Sequence, residues 1–111
     1  MELETTTDRF GDACVVSVTG EVDVYTSPTL KARLIESIDD GCARLIVVLD
    51  AVSFIDSSGL GVLVGALRRL KERGDDMRIV CSREQVLKIF RITGLDKVFP
   101  ISATLEEARE I

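Results

Sequence analysis

The sequence has no histidine and no tryptophan, and only one tyrosine. Without histidine, a Ser-His-Asp site is excluded and a zinc centre is not expected. Carboxylates are plentiful, but none falls in EF-hand or H-E-x-x-H spacing, so no metal and no cofactor is expected. Long apolar runs are also missing: no stretch approaches 18 uncharged apolar residues, the length needed to span a bilayer. The opening residues, MELETTTD, are acidic and polar, the reverse of a signal peptide. A cytoplasmic protein is expected. A basic surplus is absent too, since 14 Lys and Arg face 19 Asp and Glu for a net charge of −5. That balance argues against non-specific nucleic-acid binding. The one basic cluster, Arg68, Arg69, Lys71 and Arg73 with Arg78, reads as a solvated helix end favoured by the helix dipole. Cysteines number three, Cys14, Cys42 and Cys81. An odd count at wide spacing predicts reduced thiols. Cys14 alternates with Val16 and Val18, and Cys81 ends Ile79-Val80-Cys81, so both read as small core hydrophobes. Cys42 follows Gly41 in a loop and is a candidate for exposure.

What is present is a chain of 111 residues, 46% hydrophobic with two prolines. That suffices for one domain, residues 1–111, with a core of its own. The most informative stretch is 44–73. The apolar run Leu45–Leu49 reads as a central parallel strand buried on both faces. A connector with Asp50 and Ser53 leads to Phe54-Ile55-Asp56-Ser57-Ser58-Gly59. A helix over 58–72 follows, with Leu60, Leu63, Val64, Leu67 and Leu70 as its buried stripe. Phe54 reads as core.

On either side the punctuation is regular. Residues 2–7 and 13–19 predict two antiparallel strands joined by a turn at Arg9-Phe10-Gly11-Asp12. Gly20–Thr26 reads as a loop. Ser27 and Pro28 open a helix carrying Leu30, Leu34, Ile35 and Ile38, and Gly41 closes it. Met77–Cys81 is a strand, and Ser82 with Gln85 predicts a capping box for a helix burying Val86, Leu87 and Phe90. Thr93-Gly94 ends that helix. Val98–Ile101 is a short edge strand, and Thr104 with Glu107 boxes a last helix bearing Leu105, Ala108 and Ile111. The class is α/β, a five-stranded mostly parallel mixed sheet with four helices in the order β-β-α-β-α-β-α-β-α.

Chemistry concentrates at Asp56-Ser57-Ser58-Gly59-Leu60-Gly61. Neither serine has a general base in view, and neither the G-x-x-x-x-G-K-[ST] nor the G-x-G-x-x-G phosphate loop is present. No enzyme activity is expected. A helix cap alone would account for Asp56 and one serine. The further hydroxyl and the glycines exceed that need, for each glycine costs up to ~1 kcal/mol against alanine inside a helix. Gly61 and Gly65 form a smooth strip that admits another backbone; spacing does not say whether it is internal or a partner's. Both serines sit on one turn, and composition does not choose between them.

Three segments carry a resemblance: Gly20-Glu21-Val22-Asp23-Val24-Tyr25-Thr26, FIDSSGLG over 54–61 with its continuation VLVGALRRLK, and Lys88–Leu95 (KIFRITGL). Together they resemble the bacterial anti-sigma factor antagonists, serine-phosphorylated proteins of the STAS class, over essentially the whole chain. The resemblance implies the STAS (SpoIIAA-like) fold and a partner switch. The unmodified antagonist would bind an anti-sigma factor that is also a GHKL-type serine kinase, freeing the sigma factor. Phosphorylation of Ser57 would end that complex, and a PP2C-like serine phosphatase would restore it. Ser58 matches a second hydroxyl position. Glu21, Asp23, Tyr25, Thr26, Asp56, Ser58, Gly59 and Gly61 would form the partner-binding surface. The free protein is expected to be a monomer or weak dimer without nucleic-acid or membrane partners. Two other readings stay open: a scaffold subunit of the same fold, and a module binding a small anionic ligand at the helix N-terminus.

Overall fold

The computed structural model describes residues 3–110. Strands β1 (Glu4–Phe10) and β2 (Ala13–Val22) are antiparallel, and β3 (Arg44–Ile55), β4 (Asp76–Val80) and β5 (Ile101–Ser102) follow parallel to β2. The strands lie in sequence order, β1-β2-β3-β4-β5, with β3 at the centre. Helices α1 (Ser27–Asp39), α2 (Ser57–Glu72) and α3 (Glu84–Thr93) connect the parallel strands, and α4 (Leu105–Glu110) ends the chain. The expected α/β order, with its five strands and four helices, is the observed one.

Alternation along the strands divides the core. Cys14, Val16, Leu45, Val47 and Ile79 face one side and pack with Leu30 and Leu34 of α1, Leu63 and Leu70 of α2, and Phe90 of α3. Val15, Ile46 and Val80 point the other way and meet Ala108 of α4. On α2 the buried positions are Gly59, Leu60, Leu63, Ala66, Leu67 and Leu70, with Val64 only half-buried. Phe90 and Phe99 meet edge to face, 6.1 Å between centroids.

Several boundaries differ from expectation, each for a visible reason. β1 runs to Phe10, so the turn is only Gly11-Asp12, with Gly11 at φ +64°. β2 continues through Gly20, Glu21 and Val22 because β3 does not stop at Leu49: Glu21 pairs with Phe54 and Val22 with Ile55. β4 pairs with β3 only as far as Val48. Phe54 therefore lies beyond that neighbour and is 46% exposed, not core. Ser82 does not box α3. Its N–H and hydroxyl both donate to Asp50 Oδ1, at 2.7 and 3.0 Å, tying the end of β4 to β3. Thr104 and Glu107 form half of their box: the Thr104 hydroxyl accepts from the Glu107 N–H and donates to the Glu107 carboxylate. Val98 and Pro100 precede β5, which is two residues long. Ile111 lies outside the described residues.

Two cationic side chains expected to be solvated are structural. Arg73, just past α2, donates to the carbonyls of Ile38 and Cys42 at 2.8 and 3.0 Å and pairs with Asp75. It thereby caps the C-terminal end of α1 from outside. Arg78 is buried, paired with Asp76, and donates to the Ala108 carbonyl at 2.7 Å, clamping α4 to the sheet.

The cysteines also differ from expectation. Cys14 and Cys42 form a disulfide, with Cα atoms 5.8 Å apart, and only Cys81 is free. Cys42 is fully buried. The N–H groups of Ala43 and Arg44 donate to the Asp12 carbonyl, which delivers Cys42 to the start of β2. A separation of 28 residues gives no sign of this meeting in the sequence.

Candidate functional site

The site grows from two adjacent strand ends. β2 and β3 leave the sheet together, and the Asp56 N–H donates to the Val22 carbonyl at 3.1 Å. This bond holds the turn after β2 against the first turn of α2.

In the turn after β2, Asp23 Oδ1 accepts from the N–H groups of Tyr25 and Thr26 at 2.9 and 3.0 Å. The Thr26 hydroxyl donates to the Glu21 carbonyl at 2.7 Å and accepts from the Asp23 N–H at 2.9 Å. Thr26 is buried, so it holds the loop rather than facing outward. This network also explains why Thr26, and not Ser27, occupies the cap position of α1 with its carbonyl accepting from the helix and its side chain spent elsewhere. The loop tip is left bare: Val24 is 63% and Tyr25 87% exposed.

In the second turn, Asp56 is the N-cap of α2. Its Oδ1 accepts from the N–H groups of Ser58 and Gly59 at 2.9 and 3.3 Å, and from the Ser58 hydroxyl at 2.5 Å. The carboxyl is held below the ordinary range, chiefly by that hydroxyl and further by the two N–H groups. Ser57 is the first helical residue, exposed, and takes no part in these bonds. Gly59 is buried for a steric reason: a Cβ there would stand 2.5 Å from Val22 Cγ1 and 2.8 Å from Ile55 Cγ1. Its missing side chain is what lets α2 seat against the two strand ends. Gly61, in contrast, is exposed.

The structure thus brings Glu21, Asp23, Tyr25, Asp56, Ser57 and Ser58 to one end of the sheet, with Thr26 and Gly59 beneath as supports. Sequence reasoning missed Val24 and Phe54 as exposed apolar neighbours of this end. Val24 sits between turn formers with no periodicity to read, and Phe54 becomes surface only because β4 is short. What the arrangement offers chemically is an exposed hydroxyl at a helix N-terminus next to the Asp56 carboxylate, with Asp23 in the adjoining turn. Among the described residues no cluster of three or more His, Cys, Asp or Glu could hold a metal ion. Cys81 is buried, and burial pushes its thiol pKa up, away from a reactive thiolate. No helix among the described residues is long and apolar enough to cross a membrane.

Comparison with known proteins adds three likenesses and a family match. The STAS domain family model matches residues 4–108. The anti-sigma-B factor antagonist of Bacillus subtilis (strain 168) is 38% identical over 91 residues, covering 82% of this chain and 83% of that protein. The protein of the same description from Staphylococcus aureus (strain NCTC 8325 / PS 47) is 36% identical over 107 residues, 96% of each chain. The crystal structure of an anti-sigma factor antagonist from Mycobacterium paratuberculosis matches with a TM-score of 0.89 at 31% identity, over 96% of this chain and 90% of that one.

Proposed function

The chain belongs to the STAS-domain family of anti-sigma factor antagonists, and from that membership we propose that it is a partner switch thrown at Ser57. Unmodified, it binds an anti-sigma factor that is also a GHKL-type serine kinase, and the sigma factor is released. The kinase then transfers phosphate to Ser57 and the complex separates. A PP2C-like serine phosphatase returns the protein to its binding form.

The observation that carries this reading is the division of labour between the two serines. The Ser58 hydroxyl is spent on Asp56, whereas Ser57 stands exposed on the first turn of α2. A kinase needs a hydroxyl it can reach on a backbone that stays put, and of these two serines Ser57 is the one whose exposure and helical position favour both. Phosphate adds about −1.5 to −2 charges. The N-terminus of α2 tolerates such charge, by up to about 1 kcal/mol at an exposed site, so the fold persists. Asp56 and Asp23 already make this end of the sheet acidic. A like-charge juxtaposition at an interface costs several kcal/mol, and each 1.4 kcal/mol is a tenfold loss of affinity. Electrostatics on a fixed fold is sufficient for the switch.

Phosphosite mapping after incubation with the cognate kinase and ATP tests it directly. Wild type and Ser58→Ala should carry phosphate on residue 57, and Ser57→Ala should carry none while still binding the kinase. Phosphate on Ser58 with Ser57→Ala still a substrate would reverse the two roles.

A further inference from the structure

Cys14 and Cys42 are joined in the main core, and the two sulfurs are unequally protected. Cys14 stands within β2, paired with Arg9 of β1 on one side and Leu45 of β3 on the other. Cys42 belongs to no helix or strand. It is the one buried residue of the short loop 40–43, directly after the exposed Asp39, Asp40 and Gly41. Arg73 anchors that loop from outside through the Ile38 and Cys42 carbonyls, and its own side chain is 38% exposed. Swinging the loop out therefore bares the Cys42 sulfur while the sheet stays closed, an opening that costs less than unfolding.

A second observation is that the core accommodates either oxidation state. The loop keeps other bonds that do not need the cross-link: the Ala43 and Arg44 N–H groups donate to the Asp12 carbonyl, and that of Cys42 to the Ser37 carbonyl at 3.3 Å. Both cysteines pack among apolar side chains, where a free thiol behaves as a small hydrophobe. Cys81 lies past the other end of β4 and takes no part.

We propose that Cys14 and Cys42 are a reversible redox latch, a dithiol while the surrounding thiol pool is reduced and a disulfide once a peroxide has oxidised it. It rests on the partner-switching reading for its compartment alone: a protein that meets an anti-sigma factor works beside the transcription machinery, where disulfides are transient. In closing, the Cys42 thiolate takes one oxygen from hydrogen peroxide and becomes a sulfenic acid, releasing hydroxide. The Cys14 thiol attacks that sulfur, and the S–S bond forms as water leaves, so two thiols and one peroxide yield a disulfide and two waters. In opening, a small thiolate attacks the bared Cys42 sulfur and Cys14 leaves as its thiolate. A second small thiol then frees Cys42 and carries off the small disulfide. The closed latch ties the loop after α1 to β2 and, through Arg73, steadies the ends of α1 and α2 together. The serine turn is out of reach, since roughly 25 Å of β2 separates Cys14 from Val22. Oxidation thus sets how long the molecule lasts, and phosphorylation sets what it binds.

The test compares wild type closed by hydrogen peroxide with wild type opened by dithiothreitol. The disulfide should survive thermolysin about tenfold longer or more, and the two forms should bind the purified anti-sigma factor kinase within about twofold of each other. In native buffer, reduction should outpace amide exchange in Leu45–Leu49, and Arg73→Met should speed it further. Acid-quenched alkylation in cells should find three free thiols before peroxide and one after it. One free thiol in both, or reduction no faster than exchange in the central strand, would make the bond a permanent staple and overturn the latch. Equal thermolysin lifetimes, a peroxide effect that persists in Cys42→Ala, or kinase affinity that follows oxidation would overturn it too. Wild type that binds no anti-sigma factor would instead overturn the partner-switching reading, and the thiol and thermolysin measurements would still decide the latch.

Discussion

The Ser58 hydroxyl donates to the Asp56 carboxylate at 2.5 Å, two residues back along the same turn. This bond turns two chemically identical neighbours into different groups. Ser58 becomes part of the cap of α2, and Ser57 is left as the exposed hydroxyl at its end. It also sets the charge of the turn, because Asp56 accepts three hydrogen bonds through a single oxygen.

The first prediction follows for pH. The folded-state pKa of Asp56 is lowered, so its contribution to stability is fully present above the ordinary carboxylate range. It is lost as pH falls through that range toward the folded value. Ser58→Ala removes the largest cause of the shift and should raise the Asp56 pKa toward its unfolded value. Carboxyl carbon titration by NMR on wild type and Ser58→Ala reads this directly; an unmoved Asp56 midpoint would show that the backbone N–H groups alone hold the cap.

A second prediction contrasts two buried positions on α2. Leu63→Ala deletes a fully buried side chain facing the main core and should cost about 2–5 kcal/mol, transfer energy plus cavity. Gly59→Ala adds one carbon against Val22 and Ile55 and should cost about 1–3 kcal/mol by overpacking. Urea denaturation separates them from Gly61→Ala and Gly65→Ala, which should not destabilise at all.

Arg73 gives a third. Its guanidinium holds the carbonyls of Ile38 and Cys42, and hydrogen bonds from charged donors contribute about 1.5–3 kcal/mol. The side chain is 38% exposed, which discounts its ion pair with Asp75. Arg73→Met should therefore lose about 1–2 kcal/mol by loosening the end of α1, with amide exchange rising first at residues 38–42. Equal protection there in the variant would show that the clamp is incidental.

Much of this was legible in the sequence for physical reasons. The stripe on α2, the proline after Ser27, and glycines at 41 and 94 each report one local requirement, and local requirements are written locally. The serine turn was legible as a cap with something left over. What escaped reading was set by distant parts of the chain. Phe54 is surface because β4 is short, Ser82 is diverted from α3 by Asp50, and Arg73 finds carbonyls 31 and 35 residues away. The glycine strip was visible, but its outward direction depends on where α1 lies.

Cys14 and Cys42 belong to that second class, and they carry the last prediction. The bond joins the start of β2 to the loop leaving α1, closing a stretch of 28 residues in sequence separation. Cross-linking a loop of that length stabilises by about 3–4 kcal/mol in the chain-entropy description. Both sulfurs are buried in the main core, so reduction requires local opening and should be slow under native conditions. Protein purified under air should show one free thiol after denaturation, Cys81. Prolonged treatment with dithiothreitol should yield three thiols and a lower urea midpoint, and Cys14→Ala with Cys42→Ala should show the lowered midpoint without any response to reductant. Arg73 touches the Cys42 carbonyl, so loss of the bond should also raise amide exchange at the C-terminal end of α1, farther from the serine turn than from the disulfide. Three free thiols in protein never exposed to reductant would mean that the two cysteines meet in the core as a packed dithiol, and the stability difference would vanish with it.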